Sequence, residues 1–177
     1  MSDITSSAAS VSNGGLFSLT QIRHLMRVEF GRAQRYGFAI TCMMIEIDRL
    51  GYLRDLYGYD LKESVLEDVI KTLQNQTRGC DYLGRQVDDR LMAIMPHTSK
   101  AGAQAAAERL ISATKTLSFK VDGRSLQVTL TIGCAICEGS STMFFDQLVE
   151  SSEAALGEAS LAGGDRILIH DSGAVEL

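Results

Sequence analysis

Arg85-Gln86-Val87-Asp88-Asp89-Arg90-Leu91 is a charged stretch set between two apolar runs. Tyr82-Leu83-Gly84 leads into it and Leu91-Met92-Ala93-Ile94-Met95-Pro96 leads out, so the pattern predicts strand, tight turn, strand. Asp88 and Asp89 at the tip of such a hairpin are suited to a divalent cation. Arg90, directly beside them, places a fixed positive charge where a cation and a polyphosphate would have to approach. The turn therefore reads as part of a binding module rather than of a working catalyst.

Upstream of the hairpin, Leu19, Ile22, Leu25, Met26, Phe30 and Ala33 recur at helical spacing and Gly37 follows as a stop, which predicts a helix from Leu19 to Tyr36. Ala39 to Ile47 is β-prone and largely apolar, as expected of a central strand covered on both faces, and it ends in acidic residues. An aromatic-rich short helix and turn over Leu50 to Tyr59 precedes a long helix, Asp60 to Gln76, with a stripe of Leu61, Val65, Leu66, Val69, Ile70 and Leu73. Downstream, the Ala-rich segment Lys100 to Lys115 predicts another helix. Phe119 to Val121 and Ser125 to Cys137 read as a hairpin of two strands. Phe144 to Leu161 reads as a last helix, broken by Gly163-Gly164, before a short strand from Arg166 to His170. The order α, β, α, β-hairpin, α, β-hairpin, α, β predicts an α/β (α+β) sandwich. Its central sheet is mixed and largely antiparallel, with flanking helices and a ferredoxin-like core. Residues 1 to 15, mostly Ser, Gly and Ala, read as a tail or linker, residues 16 to 172 as one domain, and 173 to 177 as a C-terminal tail.

The bulk numbers narrow the function classes. With 177 residues, 45% hydrophobic and 22% charged, one full core is expected. A net charge of −5 argues against a protein that coats nucleic acid or an anionic membrane. Arg23, Arg27, Arg32 and Arg35 share one helix but read as a solvated face. The longest apolar run, Phe38 to Ile47, is far too short to span a bilayer. No signal peptide is apparent, and a reduced, cytoplasmic setting is expected for the four cysteines. Cys134 and Cys137 lie on a strand, where positions i and i+3 face opposite ways, so they read as structural rather than as a metal pair. His24, His97 and His170 match no ligand spacing, and Tyr52, Tyr57, Tyr59 and Tyr82 read as core or rim.

From about Ser18 to His170 the chain resembles the GGDEF domain family, the diguanylate cyclases. Arg32-Ala-Gln-Arg-Tyr36-Gly37 is similar to the end of that family's first helix, and Ile45-Glu46-Ile47-Asp48 to its Asp-Ile-Asp strand end. Leu56-Tyr57-Gly58-Tyr59 stands at its Tyr-Gly-His turn, and Leu126 to Gly133 at its strand ending Ser-Ile-Gly. Ala154-Ala155-Leu156, Ala159 and Gly163 resemble its last helix and tail. The resemblance places Val87-Asp88-Asp89-Arg90-Leu91 at the signature motif. The two glycines that let backbone approach GTP phosphates become Val87 and Asp88, and Asp89 keeps the first acidic residue while Arg90 inverts the second. Glu46 replaces the first Asp of the strand-end pair, and Asp48 is kept. The guanine-reading Asn and Asp correspond to Arg54 and Glu63, and the phosphate-binding Lys and Arg to Ser160 and Gly164. Phosphoryl transfer depends on positioning and charge neutralisation, so the resemblance implies no cyclase activity, no catalytic residue, no metal and no required cofactor.

One family site is complete. Arg78-Gly79-Cys80-Asp81 matches the RxxD inhibitory site at its usual distance before the signature motif, and Arg109 corresponds to a second arginine used when a cyclic di-GMP dimer bridges two protomers. An Arg fork pairs with the O6 and N7 edge of guanine, and a carboxylate accepts from its N1 and N2 donors. The expectation is a cyclic di-GMP receptor acting through Arg78, Asp81 and Arg109. It would signal to a protein partner, with a ligand-bridged homodimer as one form of the complex. Two alternatives stand beside it: a nucleotide-independent interaction scaffold, and a diguanylate cyclase with a divergent motif.

Overall fold

The computed structural model describes residues 16–138 and 144–171, so the tails expected at 1–15 and 173–177 fall outside the described residues. Helix α1, Leu19–Tyr36, opens on a capping box: the Ser18 hydroxyl accepts from the Gln21 N–H at 3.3 Å, and Gln21 Oε1 accepts from the Ser18 N–H at 3.0 Å. It stops at Gly37, whose φ of 74° is the left-handed conformation a helix end needs. The chain continues through β1 (Ile40–Ile47), α2 (Leu50–Tyr57), α3 (Tyr59–Gln76), β2 (Tyr82–Arg85) and β3 (Leu91–Pro96). Then come α4 (Lys100–Lys115), β4 (Phe119–Val121), β5 (Arg124–Leu126), β6 (Leu130–Cys137), α5 (Phe145–Leu161) and β7 (Ile167–Asp171).

The main sheet runs β2-β3-β1-β6-β7. All its pairings are antiparallel except β6 with β7, which gives the mixed, largely antiparallel α/β sandwich expected. Strand β1 sits at the centre, and its alternating side chains feed two cores. Met43, Ile45 and Ile47 pack with Val65, Leu66 and Val69 of α3 and Ala103, Ala107 and Leu110 of α4. Ile40, Cys42 and Met44 pack with Ile22, Met26 and Phe30 of α1 and Leu148 and Leu156 of α5. Each fully buried Ile or Leu contributes about 1.5–3 kcal/mol of transfer free energy, so this alternation fixes the register of the strand. Cys134 belongs to the first core and Cys137 to the second, so the two thiols face opposite sides of β6. Burial pushes the Cys42 and Cys134 thiols up to about 12, which makes both inert.

The second hairpin departs from the sequence expectation. Ser125 to Cys137 is not one strand: β5 pairs only with β4 in a separate two-stranded sheet, and β6 joins the main sheet alone. The break falls at residues 127–129, where Val128, only 3% exposed, turns into the first core. A buried apolar residue at that point looks like strand continuation in one dimension, whereas in space it marks a corner. Close packing also explains Gly133 on β6: a Cβ there would lie 2.1 Å from the Leu156 nitrogen of α5. The helix can reach the sheet only where that side chain is missing.

Candidate functional site

Strands β2 and β3 form the expected hairpin, with Gln86 N–H donating to the Arg90 carbonyl at 2.8 Å across the turn. The register sets Ile45 of β1 opposite Leu91, so Glu46 at the strand mouth comes beside Arg90. There Glu46, Arg49, Asp88, Asp89 and Arg90 line an open cavity of about 300 Å³. The three charges of the hairpin turn are already paired. Arg90 Nε lies 2.7 Å from Asp88 Oδ2. Asp89, at a φ of 63°, turns its carboxylate away from the turn onto Lys62 and Arg85. Val87 projects into solvent from the tip, while Leu91 is fully buried in the core.

Lys62 is the unexpected member of this group. It sits on α3, only 7% exposed, with its ammonium on Asp89, 3.0 Å from Glu63 Oε1 and 5.1 Å from the centre of the Tyr59 ring. Arg85 closes the network 3.5 Å from Glu63. Hydrogen bonds to Asp89 and Glu63 raise the Lys62 pKa, and the bond from Lys62 lowers that of Glu63. Burial alone would raise Asp89, but the bonds from Lys62 and Arg85 outweigh it and hold the carboxylate below its ordinary value.

Asp48, one residue past β1, is committed elsewhere. Its Oδ2 accepts from Thr129 Oγ1 at 2.6 Å and the Asp165 N–H at 3.0 Å, and its Oδ1 accepts from Thr131 Oγ1. Gly164 packs against this carboxylate, and a Cβ there would lie 3.1 Å from Asp48 Oδ1. Arg54 is exposed and paired with its neighbour Asp55 at 3.1 Å, and Ser160 faces solvent on α5. Among the described residues no three His, Cys, Asp or Glu side chains come together as a metal-binding group.

A second cavity, about 250 Å³, opens at the other end of the same hairpin. Pairing of Tyr82 with Ile94 brings the 78–81 turn beside the end of β3, and the first turns of α4 complete the wall. Arg78, Asp81 and Arg109 all line it, together with His97, Thr98 and Ser99. Arg78 is firmly held: Nη2 donates to Asp81 Oδ1 at 3.1 Å, the Pro96 carbonyl at 3.1 Å and Thr98 Oγ1 at 2.6 Å. Asp81 Oδ2 accepts from the Arg78 N–H at 2.9 Å and from its Nε at 3.3 Å. The Asp81 side chain is therefore only 2% exposed, and its carboxylate is turned to Arg78 rather than outward as an acceptor for guanine. Arg109 Nε donates to the Gln76 carbonyl at 3.1 Å, which fixes the base of that side chain at the cavity edge. Thr98 and His97 carried no periodic or motif signal in the sequence.

The other groups weighed in the sequence fall where a bland reading puts them. Arg23, Arg27, Arg32 and Arg35 are exposed, as are Tyr52, Tyr57 and Tyr59, while Tyr82 is half-buried with its hydroxyl 3.3 Å from Glu29. No helix among the described residues is long and apolar enough to cross a membrane.

A largely antiparallel α/β sandwich with a charged hairpin at its edge and an arginine-lined cavity behind it defines the class. The family model for the diguanylate cyclase GGDEF domain matches residues 14–166, and the chain belongs to that family. Diguanylate cyclase A of Treponema denticola is 30% identical over 135 residues, covering 73% of this chain and 35% of that protein. The chain thus spans about a third of the length of that relative. The diguanylate cyclase SiaD of Pseudomonas aeruginosa, solved in complex with its activator SiaC, superposes with a TM-score of 0.81 at 25% identity, over 89% of this chain and 60% of that one. The GGDEF domain of DgcB from Caulobacter crescentus, in complex with c-di-GMP, gives 0.82 at 16% identity over 89% and 90% of the two chains.

Proposed function

We propose that this GGDEF domain makes no cyclic di-GMP but receives it, gripping the nucleotide at the cavity of Arg78 and Arg109 and passing the signal to a protein partner by contact. The observation that carries the reading is the convergence on one cavity of Arg78 and Asp81, from the turn before β2, and Arg109, from α4 some thirty residues further on. Asp81 acts there as the residue that orients Arg78: with Nε and Nη2 committed, Nη1 and the outer part of Arg109 are the groups left to meet a guanine edge or a phosphate. A ligand with two bases and two phosphates has enough acceptors to engage a second copy as well. The DgcB structure holds c-di-GMP and SiaD holds a protein activator, which makes both kinds of partner reasonable for a domain of this fold.

The opposite cavity supports inactivity. A divalent ion needs several carboxylate oxygens free to coordinate, and most of those at or beside this cavity are engaged: Asp48 by Thr129, Thr131 and Asp165, Asp89 by Lys62 and Arg85, and Asp88 by Arg90, which leaves Glu46 as the open carboxylate on its wall. The guanidinium of Arg90 adds repulsion for the cation that the triphosphate requires.

Titration calorimetry with cyclic di-GMP tests the receptor function. Heat of binding with the intact protein, lost in Arg78→Ala, is expected; no heat with the intact protein defeats it. Incubation with GTP and Mg²⁺, followed by nucleotide chromatography, tests inactivity, and a cyclic dinucleotide peak would restore the divergent-cyclase alternative.

A further inference from the structure

We propose that His97 is a ligand-contacting wall of the Arg78 cavity, taking the face of a purine base whose edge is held by the two arginines. The inference rests on the receptor reading and adds to it a recognition residue outside the RxxD motif. Three features of His97 coincide. Its side chain is exposed yet lines the same cavity as Arg78 and Arg109. Its ring stacks on Phe38, with centroids 3.8 Å apart and planes at 27°. Its backbone is left-handed, with a φ of 51°, a conformation that residues other than glycine adopt at a cost and that concentrates at functional sites.

The neighbouring bonds explain how that backbone is kept. Thr98 N–H donates to the Ala39 carbonyl at 3.2 Å, Thr41 Oγ1 donates to the Thr98 carbonyl at 2.8 Å, and Thr98 Oγ1 donates to the Pro96 carbonyl at 3.0 Å. Thr98 Oγ1 is also the atom that accepts from Arg78 Nη2 at 2.6 Å. One buried threonine thus fixes both the guanidinium and the imidazole beside it. A planar ring already pinned by Phe38 loses little rotamer freedom when a base stacks on it, so its contact energy reaches the ligand nearly undiminished.

The committed position of Asp81 makes such a wall necessary. With its carboxylate 2% exposed, the cavity offers a base few outward acceptors, and recognition shifts to guanidinium edges and an aromatic face. The ligand class that follows is a purine nucleotide bearing phosphodiesters. Purine and pyrimidine cyclic dinucleotides separate by stacking area rather than by an acceptor pair.

The experiment is calorimetry of the full chain with cyclic di-GMP, on wild type, Arg78→Ala, His97→Gly and His97→Phe. Glycine removes the ring while relaxing the left-handed backbone, so it does not unfold the segment, and a thermal melt on each variant confirms this. His97→Gly is expected to weaken binding about ten-fold, the loss typical of one base stacked on an aromatic side chain. His97→Phe, which keeps a planar face, is expected to retain affinity within about three-fold of wild type. Binding that is abolished by Arg78→Ala but unchanged by His97→Gly overturns this inference and leaves the receptor reading standing. Absence of binding by wild type overturns the receptor reading itself, and this inference with it.

Discussion

Lys62→Met isolates the ion network that ties α3 to the hairpin. Methionine keeps the aliphatic stem among its neighbours and removes the ammonium, so Asp89 and Glu63 are left to share Arg85, which stands on Asp89 and 3.5 Å from Glu63. Two charge-assisted hydrogen bonds disappear, each worth roughly 1.5–3 kcal/mol before compensation. Asp89 and Glu63 are 24% exposed, so water takes over part of that interaction, and the buried methionine no longer carries a desolvated charge. The expected net loss is about 2 kcal/mol, which for a domain of this size lowers Tm by roughly 4–8 °C. Differential scanning calorimetry at low salt reads it directly.

The pH dependence of that loss is a second signature. Lys62 is raised in the folded state, so its contribution is present below the ordinary lysine pKa and is lost only as pH climbs through the folded value. Glu63 and Asp89 are lowered, so theirs is present above ordinary carboxylate values and fades as pH falls through the folded ones. The difference between wild type and Lys62→Met should therefore be flat between about pH 5 and 10 and shrink on the acid side. A variant that melts at or above wild type at neutral pH would mean that the desolvation of Lys62 cancels its ion pairs, and the reasoning would fail.

Three other perturbations give clear outcomes. Gly133→Ala forces a methyl against the α5 backbone and should cost about 3 kcal/mol, read as a lower urea midpoint with unchanged slope. Thr98→Val removes the hydroxyl that accepts from Arg78 and donates to the Pro96 carbonyl, so it should lower the melting temperature by about 2–4 °C and weaken cyclic di-GMP binding about five-fold in calorimetry; equal affinity would show that Arg78 needs no such anchor. Arg90→Glu restores a carboxylate at the hairpin but leaves Asp48 and Asp89 engaged, so chromatography should still find no cyclic dinucleotide after incubation with GTP and Mg²⁺.

Much of the fold lay in one-dimensional patterns. The stripe of Ile22, Met26 and Phe30 and the strand signal around Ile45 mark faces that the cores bury, because helical and strand periods are local properties. The hairpin was readable for the same reason, and so was the opposition of Cys134 and Cys137. The corner at Val128 was hidden because burial there comes from turning inward, not from alternation. At the site, the family resemblance gathered Arg78, Asp81 and Arg109, but the sequence held no trace of Asp81 closing onto Arg78 or of Lys62 answering Asp89. Those depend on which long side chains meet across elements, and such meetings leave no period behind.

Asp48 acts as a rivet. Its two carboxylate oxygens join the chain to residues 81, 83 and 117 positions further on, cinching the exit of β1 to the entry of β6 and to the turn before β7. Under the receptor reading, a lineage that regained glycines and acids at the hairpin would still have to unfasten this seam before the carboxylate could serve a metal. On that reading each bond given up costs stability before it offers any gain in activity.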